Sequence, residues 1–249
     1  MEAEKKRICV LLDSGKKMGV LGYNYHATLG INLEVDTDKP VQYTVVDLPI
    51  KMDTIVMGAE CTMCIASDGT VWAWGNLPGK DSLTLAPTLL ELPGKYVALG
   101  VGNGFACFIN ANGGVETIGE FPGCNKPLPE CFPPMVAVAC ADSHIVLVDV
   151  SGALWTSGLG SGETREHRFY KHTYFELSAG QPMEEVPKIS QIACGDYHTL
   201  VLDYRGKMFS FGIEGNGQLG ISWGGSQYHP RFVPSTLEFD SIWCCSSTS

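Results

Sequence analysis

Four stretches of the 249-residue chain can be laid over one another without a gap: Met57 to Gly75, Val101 to Gly119, Cys140 to Gly158 and Cys194 to Gly212. Each places a turn glycine at the same point, at Gly69, Gly113, Gly152 and Gly206, and a closing glycine six residues later. An internal repeat of this length limits the possible folds sharply. One unit cannot bury its own apolar face and becomes stable only when stacked on its neighbours.

Each unit reads as a β-hairpin. Ile192 to Asp203 and Lys207 to Gly212 are runs rich in Val, Leu, Phe and Thr, joined by Tyr204-Arg205-Gly206. Glycine adopts the positive φ of such a turn without steric cost. The equivalent turns are Ser67-Asp68-Gly69, Ala111-Asn112-Gly113 and Val150-Ser151-Gly152. Behind them come runs such as Val71-Trp72-Ala73-Trp74 and Met208-Phe209-Ser210-Phe211, which suit strands packed between neighbouring sheets.

The most complete unit runs Ala193-Cys194-Gly195-Asp196-Tyr197-His198-Thr199-Leu200-Val201-Leu202, then Gly206, Phe211-Gly212 and Gly217-Gln218-Leu219-Gly220. A second copy of its ending, Gly22-Tyr23-Asn24 followed by Leu29-Gly30, keeps the same spacing. This pattern resembles the repeat of the regulator of chromosome condensation family, and it matches kelch and tryptophan-aspartate signatures poorly. The resemblance implies an all-β fold: a β-propeller with one four-stranded blade per repeat, residues 1–249 forming a single domain.

Counted from Gly15, the turn glycines stand 54, 44, 39 and 54 residues apart, giving about five blades where the family usually has seven. Residues 8 to 22 resemble only the second half of a repeat, and Ser241 to Ser249 only the start of one. With Cys244 placed on Cys194, Ser249 falls on Thr199. The expectation is a ring closed by a blade shared between the N- and C-termini, with residues 8 to 22 as its outer strands. The alternative is a piece of a longer propeller.

A formal net charge of −10 argues against direct nucleic-acid binding, and Lys5-Lys6-Arg7 reads as a short solvated tail. No run reaches the ~18 apolar residues of a membrane helix, so no membrane span is expected. The composition suits a cytoplasmic protein, with the nucleus as a second possible location, that is not secreted, and a monomer is expected. Most of the ten cysteines fall in expected strands, where a reduced thiol acts as a small apolar side chain. Cys61 and Cys64 form a lone Cys-x-x-Cys without a second pair at zinc spacing. No metal, disulfide framework or cofactor is therefore expected. His167 and His172 read as solvated loop histidines.

Two places are candidates for partner docking. The loops between the first two strands of the blades carry Asp142 and His144, and Asp196 and His198, with Glu60 one position off in an earlier repeat. The resemblance implies that this ring face engages a small GTPase of the Ran type in exchange-factor relatives. The aspartates suit partner contact, and His144 and His198 suit a structural bond to the neighbouring blade. The second place is the insertion at 159 to 182, with Arg165, Arg168, Tyr170 and Lys171 as anchors. It follows a closing glycine, as the wedge of exchange factors does, without matching the wedge in sequence.

Phosphate loops, nucleophile elbows and metal clusters are absent from the sequence, so no metabolic active site is expected. Two functions stay open. One is guanine-nucleotide exchange on, or other regulation of, a Ran-type GTPase. The other is a non-catalytic scaffold, adaptor or inhibitor that uses the same ring face.

Overall fold

The computed structural model describes residues 7–32, 39–120, 133–142, 144–158, 169–172, 188–221 and 225–244. They form two compact units, Met1–Ala111 with Glu116–Glu120, and Asn112–Val115 with Phe121–Ser249. Regular structure among the described residues is almost entirely β.

In the first unit, β1 (Arg7–Leu12), β2 (Lys17–Gly22) and β3 (Val41–Asp47) make a three-stranded sheet. The next sheet has four strands, β4 (Met52–Met57), β5 (Cys61–Ala66), β6 (Val71–Gly75) and β7 (Thr84–Leu90). A further sheet pairs β8 (Tyr96–Val101), β9 (Phe105–Asn110) and β10 (Val115–Gly119). The second unit has two four-stranded sheets. One runs β11 (Met135–Cys140), β12 (His144–Asp149), β13 (Leu154–Gly158), β14 (Tyr170–His172). The other runs β15 (Ile189–Cys194), β16 (His198–Asp203), β17 (Met208–Gly212), β18 (Gln227–Phe232). Every sheet is an antiparallel series of chain neighbours, the up-and-down layout of propeller blades.

The apolar character of the second strand in each blade has a simple cause. Every residue of β5, β12 and β16 is buried, because each of these strands is covered on both faces. Side chains of β5 alternate: Cys61, Met63 and Ile65 pack with Tyr96, Leu99 and Phe108, while Cys64 and Ala66 pack with Met18, Val20 and Trp74. The two-residue period of a strand thus joins three sheets into one stack. In the second unit, Val146, Val148 and Leu154 meet Val201, Phe209 and Phe211 in the same manner. Each fully buried side chain of this size is worth roughly 1.5 to 3 kcal/mol. The outer strand β3 is mostly exposed, Tyr43 and Val45 included.

The turn glycines link successive sheets. Gly69, Gly113 and Gly206 have φ of 81°, 80° and 70°. Their carbonyls accept hydrogen bonds from Tyr96 N–H (2.9 Å), Met135 N–H (2.9 Å) and Phe239 N–H (3.0 Å), each from the segment that follows the blade. Gly152 shares the conformation at 85°. A side chain at Gly113 would press on Pro134, the residue leading into the next sheet.

Two expectations change in detail. Residues 7–22 supply β1 and β2, but β3 pairs on the far side of β2, so β2 is the central strand and β1 an edge strand of that sheet, and the two are not its outer pair. The count of five sheets holds, although only three of them show four strands among the described residues. Closure of a ring by a blade shared between the termini is not part of what the described residues display.

Candidate functional site

The loops between the first and second strands share one tight turn. Gly58 N–H donates to the Cys61 carbonyl at 2.8 Å, Gly102 to Phe105 at 2.9 Å, Ala141 to His144 at 2.9 Å and Gly195 to His198 at 2.9 Å. A second repeated bond braces this end. The first residue after the closing glycine donates back to the loop, from Asn76 to Glu60 at 2.9 Å, from Glu120 to Gly104 at 3.2 Å and from Ile213 to Tyr197 at 2.8 Å. Backbone geometry therefore presents the loop side chains equivalently, and residue identity sets the chemistry.

In the second unit these loops carry Asp142 and Asp196, both half-buried, and Tyr197, which is 48% exposed. His144 and His198 are fully buried. His144 Nε2 lies 3.1 Å from Thr199 Oγ1 on the neighbouring sheet. Burial pushes the His144 imidazole down to about 4, and the neighbouring His198 adds to the shift. Burial also lowers His198, while the carboxylates of Asp196 and Glu214 pull it back up. Both ring nitrogens of His198 lack a hydrogen-bond partner among the described residues.

Glu214 is a residue that sequence reasoning missed. Its carboxylate accepts from the N–H groups of Gly217 and, at 3.0 Å, Leu219. Gln218 completes the brace, its Nε2 donating to the Ile213 carbonyl at 2.9 Å and its Oε1 accepting from Asn216 N–H at 2.7 Å. The Gly-Gln-Leu-Gly ending was the available signal, since a glycine-rich loop needs an internal acceptor to fix its amide groups.

Glu60, in the first unit, is engaged within its own sheets. Asn76 Nδ2 donates to its Oε2 at 2.6 Å, and His26 Nε2 stands 3.9 Å from its Oε1. Arg7 also departs from expectation. Rather than ending a solvated tail, its guanidinium donates to the carbonyls of Gly58 and, at 2.7 Å, Ala59. Lys5 and Lys6 lie outside the described residues.

Arg165, Arg168 and His167 of the insertion also lie outside the described residues. Tyr170 and Lys171 belong to the outer strand β14 rather than to a loop, with Lys171 Nζ 5.5 Å above the Trp155 ring. His172 corrects the reading of a solvated histidine. It is buried, 2.9 Å from Thr156 Oγ1, with rings of Tyr170 and Phe211 at 4.9 and 5.3 Å. Burial pushes it down to about 4. The short β14 pairing explains the misreading, because three residues are too few to show periodicity.

Cys9, Cys61, Cys64, Cys107 and Cys194 carry free thiols. Burial pushes the thiols of Cys9 and Cys61 up to about 12 and raises Cys64 and Cys194 further. Among the described residues no group of three His, Cys, Asp or Glu could hold a metal ion, and no helix is long and apolar enough to cross a membrane.

The fold and its repeated loops define a β-propeller protein. Residues 189–218 match the model of the Regulator of chromosome condensation (RCC1) repeat, and the chain is similar to propellers that carry it. The RCC1 domain-containing protein RUG3, mitochondrial, of Arabidopsis thaliana is 27% identical over 209 residues, covering 80% of this chain and 39% of the relative. The crystal structure of human WBSCR16 superposes with a TM-score of 0.80 at 19% identity, covering 96% of this chain and 68% of that one. Prp20p from Saccharomyces cerevisiae, whose structure was reported with its binding properties to Gsp1p and histones, gives 0.74 at 16% identity, covering 96% and 66%. The chain thus spans well under half the length of the first of these relatives.

Proposed function

We propose that this chain is a protein-interaction propeller that regulates a small GTPase of the Ran type, docking it through the loops that carry Asp142 and Asp196. The observation that carries this reading is the repeated tight turn at Ala141–His144 and Gly195–His198, which holds an acidic side chain at the same half-buried position in adjacent sheets. Carboxylates fixed in this way suit basic groups on a partner. The likeness of fold to Prp20p, which binds Gsp1p, supports the same reading. The partner surface extends to the insertion, with Arg165, Arg168, Tyr170 and Lys171 as anchors. Exchange activity would follow if binding favours the nucleotide-free GTPase, since linkage then lowers nucleotide affinity. The protein would work in the cytoplasm or nucleus as a monomer, without a cofactor.

The second reading is a scaffold, adaptor or inhibitor without exchange activity. In its favour, Glu60 is held by Asn76 and His26 and so has less freedom to contact a GTPase. A nucleotide-release assay over a panel of small GTPases, run beside affinity capture with the same panel, separates the two. Accelerated release supports exchange. Stable capture without release supports the scaffold, and neither result with any GTPase removes the GTPase reading.

A further inference from the structure

The turn Tyr204-Arg205-Gly206 lies at the end of its sheet opposite the loop of Asp196, since successive strands of an antiparallel sheet reverse direction. The linker that leaves β18 arches over this turn. It is fastened at both ends, Val233 N–H donating to the Met208 carbonyl at 2.9 Å and Phe239 N–H to the Gly206 carbonyl at 3.0 Å. The turn itself is fixed as well, because Arg205 and Lys207 give their backbone N–H groups to Asp203 Oδ1. Turn and linker enclose a groove of about 170 Å³, lined by Met208, Phe232, Leu237 and Phe239 together with the charged Arg205, Lys207 and Glu238.

Size and charge select what this groove can hold. Its volume falls below the roughly 300 Å³ at which small-molecule pockets begin, and suits one large side chain. Phe232 and Leu237 are 43% and 71% exposed, whereas the linker after β7 packs its Leu92 against a buried core. Phe239 repeats toward Gly206 the bond that Tyr96 makes to Gly69, so Arg205 takes the place of Asp68 and Glu238 that of Lys95. Asp68 and Lys95 form an ion pair at 3.7 Å. Among the described residues neither Arg205 nor Lys207 is ion-paired, Glu238 included as a partner. Two exposed cations against one carboxylate leave the lining positive, on a chain whose net charge is −10.

We propose that this groove binds an acidic peptide segment of a partner protein: one apolar side chain enters between turn and linker, and flanking carboxylates meet Arg205 and Lys207. Anchor burial supplies the affinity, and the two cations set orientation and selectivity. Because the linker and turn are already held by their backbone bonds, little ordering is required on this side of the interface. The site is separate from the loops of Asp142 and Asp196 and does not depend on the GTPase reading.

The test uses the full chain and a fluorescein-labelled peptide with one phenylalanine between two pairs of glutamates, followed by anisotropy at low ionic strength. Saturable binding is expected, weakened about tenfold or more by Arg205→Glu combined with Lys207→Glu, and strengthened by Glu238→Gln. Alanine in place of the peptide's phenylalanine, or lysines in place of its glutamates, should abolish binding. In ¹H–¹⁵N spectra of the unaltered chain the peptide should shift the amide signals of Gly206 and Phe239, a readout that needs no variant. Absence of saturable binding, unmoved Gly206 and Phe239 amides, or full affinity in the doubly charge-reversed protein would overturn the proposal. Equal affinity for a single-stranded oligonucleotide of the same charge would also overturn it, by showing a general anion patch.

Discussion

His144 and Thr199 stand on adjacent sheets, 55 residues apart in sequence, with Nε2 3.1 Å from Oγ1 and neither side chain exposed to solvent. Alanine at either position leaves the other group buried without its partner. Each single variant should lose about 1 to 3 kcal/mol, and the double variant should lose clearly less than the sum. Urea unfolding of the four proteins measures this coupling, and strict additivity would show that the contact contributes nothing.

Acid should destabilise the second unit before carboxylates titrate. Burial depresses His144 and His172 from 6.5 to about 4, so the unfolded chain binds protons more tightly than the folded one between these values. Stability from these neutral imidazoles is complete above about pH 6.5 and falls progressively toward pH 4. Denaturation midpoints across this range should decline, and a His172→Gln variant should decline less steeply.

Asp149 and Asp203 close the turns of β12 and β16. Asp149 Oδ1 accepts from Ser151 N–H at 2.8 Å and Ala153 N–H at 3.0 Å, and Trp155 Nε1 donates to its Oδ2 at 2.9 Å. Asp203 Oδ1 repeats the pattern with Arg205 and Lys207 at 2.9 and 2.8 Å. Burial raises the Asp149 carboxyl, but the donors from Ser151, Trp155 and Ala153 outweigh it and hold the group below the usual carboxylate range. Its stabilisation is present above ordinary carboxylate pH and is lost as pH falls through the lowered value. Asp149→Ala should cost about 1 to 3 kcal/mol at neutral pH and redshift Trp155 fluorescence. An unchanged unfolding midpoint would show that the turn closes without it.

Gly30 tests the glycine code directly. Its φ is 64°, and a Cβ there would come within 2.9 Å of Trp74 Nε1, which donates to the Thr28 carbonyl at 2.8 Å. Gly30→Ala should destabilise by roughly 2 to 4 kcal/mol through backbone strain and crowding together. Chemical denaturation decides it, and a loss below ~0.5 kcal/mol would mean the loop relaxes freely.

Partner contact makes a different demand. Charge reversal at Asp142 and Asp196, or replacement of Arg165, Arg168 and Lys171, should weaken partner binding by more than ~1 kcal/mol while shifting stability by less than that. Calorimetric titration with the captured GTPase, alongside a melting curve, reads both effects. Unchanged affinity in both sets would move the search to the turn face at the opposite end of the sheets.

Much of the fold was legible because its signals are local. The turn glycines fall at the positive-φ positions expected of them, and Cys61, His144 and His198 occupy equivalent strand starts. Other features depended on distant chain. Arg7 meets carbonyls 51 and 52 residues away, and nothing in Lys5-Lys6-Arg7 announces them. His172 looked like part of a polar insertion until β14 paired with β13 and placed it against Thr156 and Phe211. Glu214 is one acid among many until the loop folds back and offers it the amides of Gly217 and Leu219.

The sequence by itself determined where strands start and turn, because glycine's freedom at positive φ and the alternation of apolar side chains act within a few residues of chain. The tertiary structure alone decided which histidines are buried, which carboxylates are engaged and where Arg7 binds. Those outcomes depend on sheets stacking against one another, and hydrogen bonds and desolvation act on whatever the stacking brings within about 3 Å, regardless of distance along the chain.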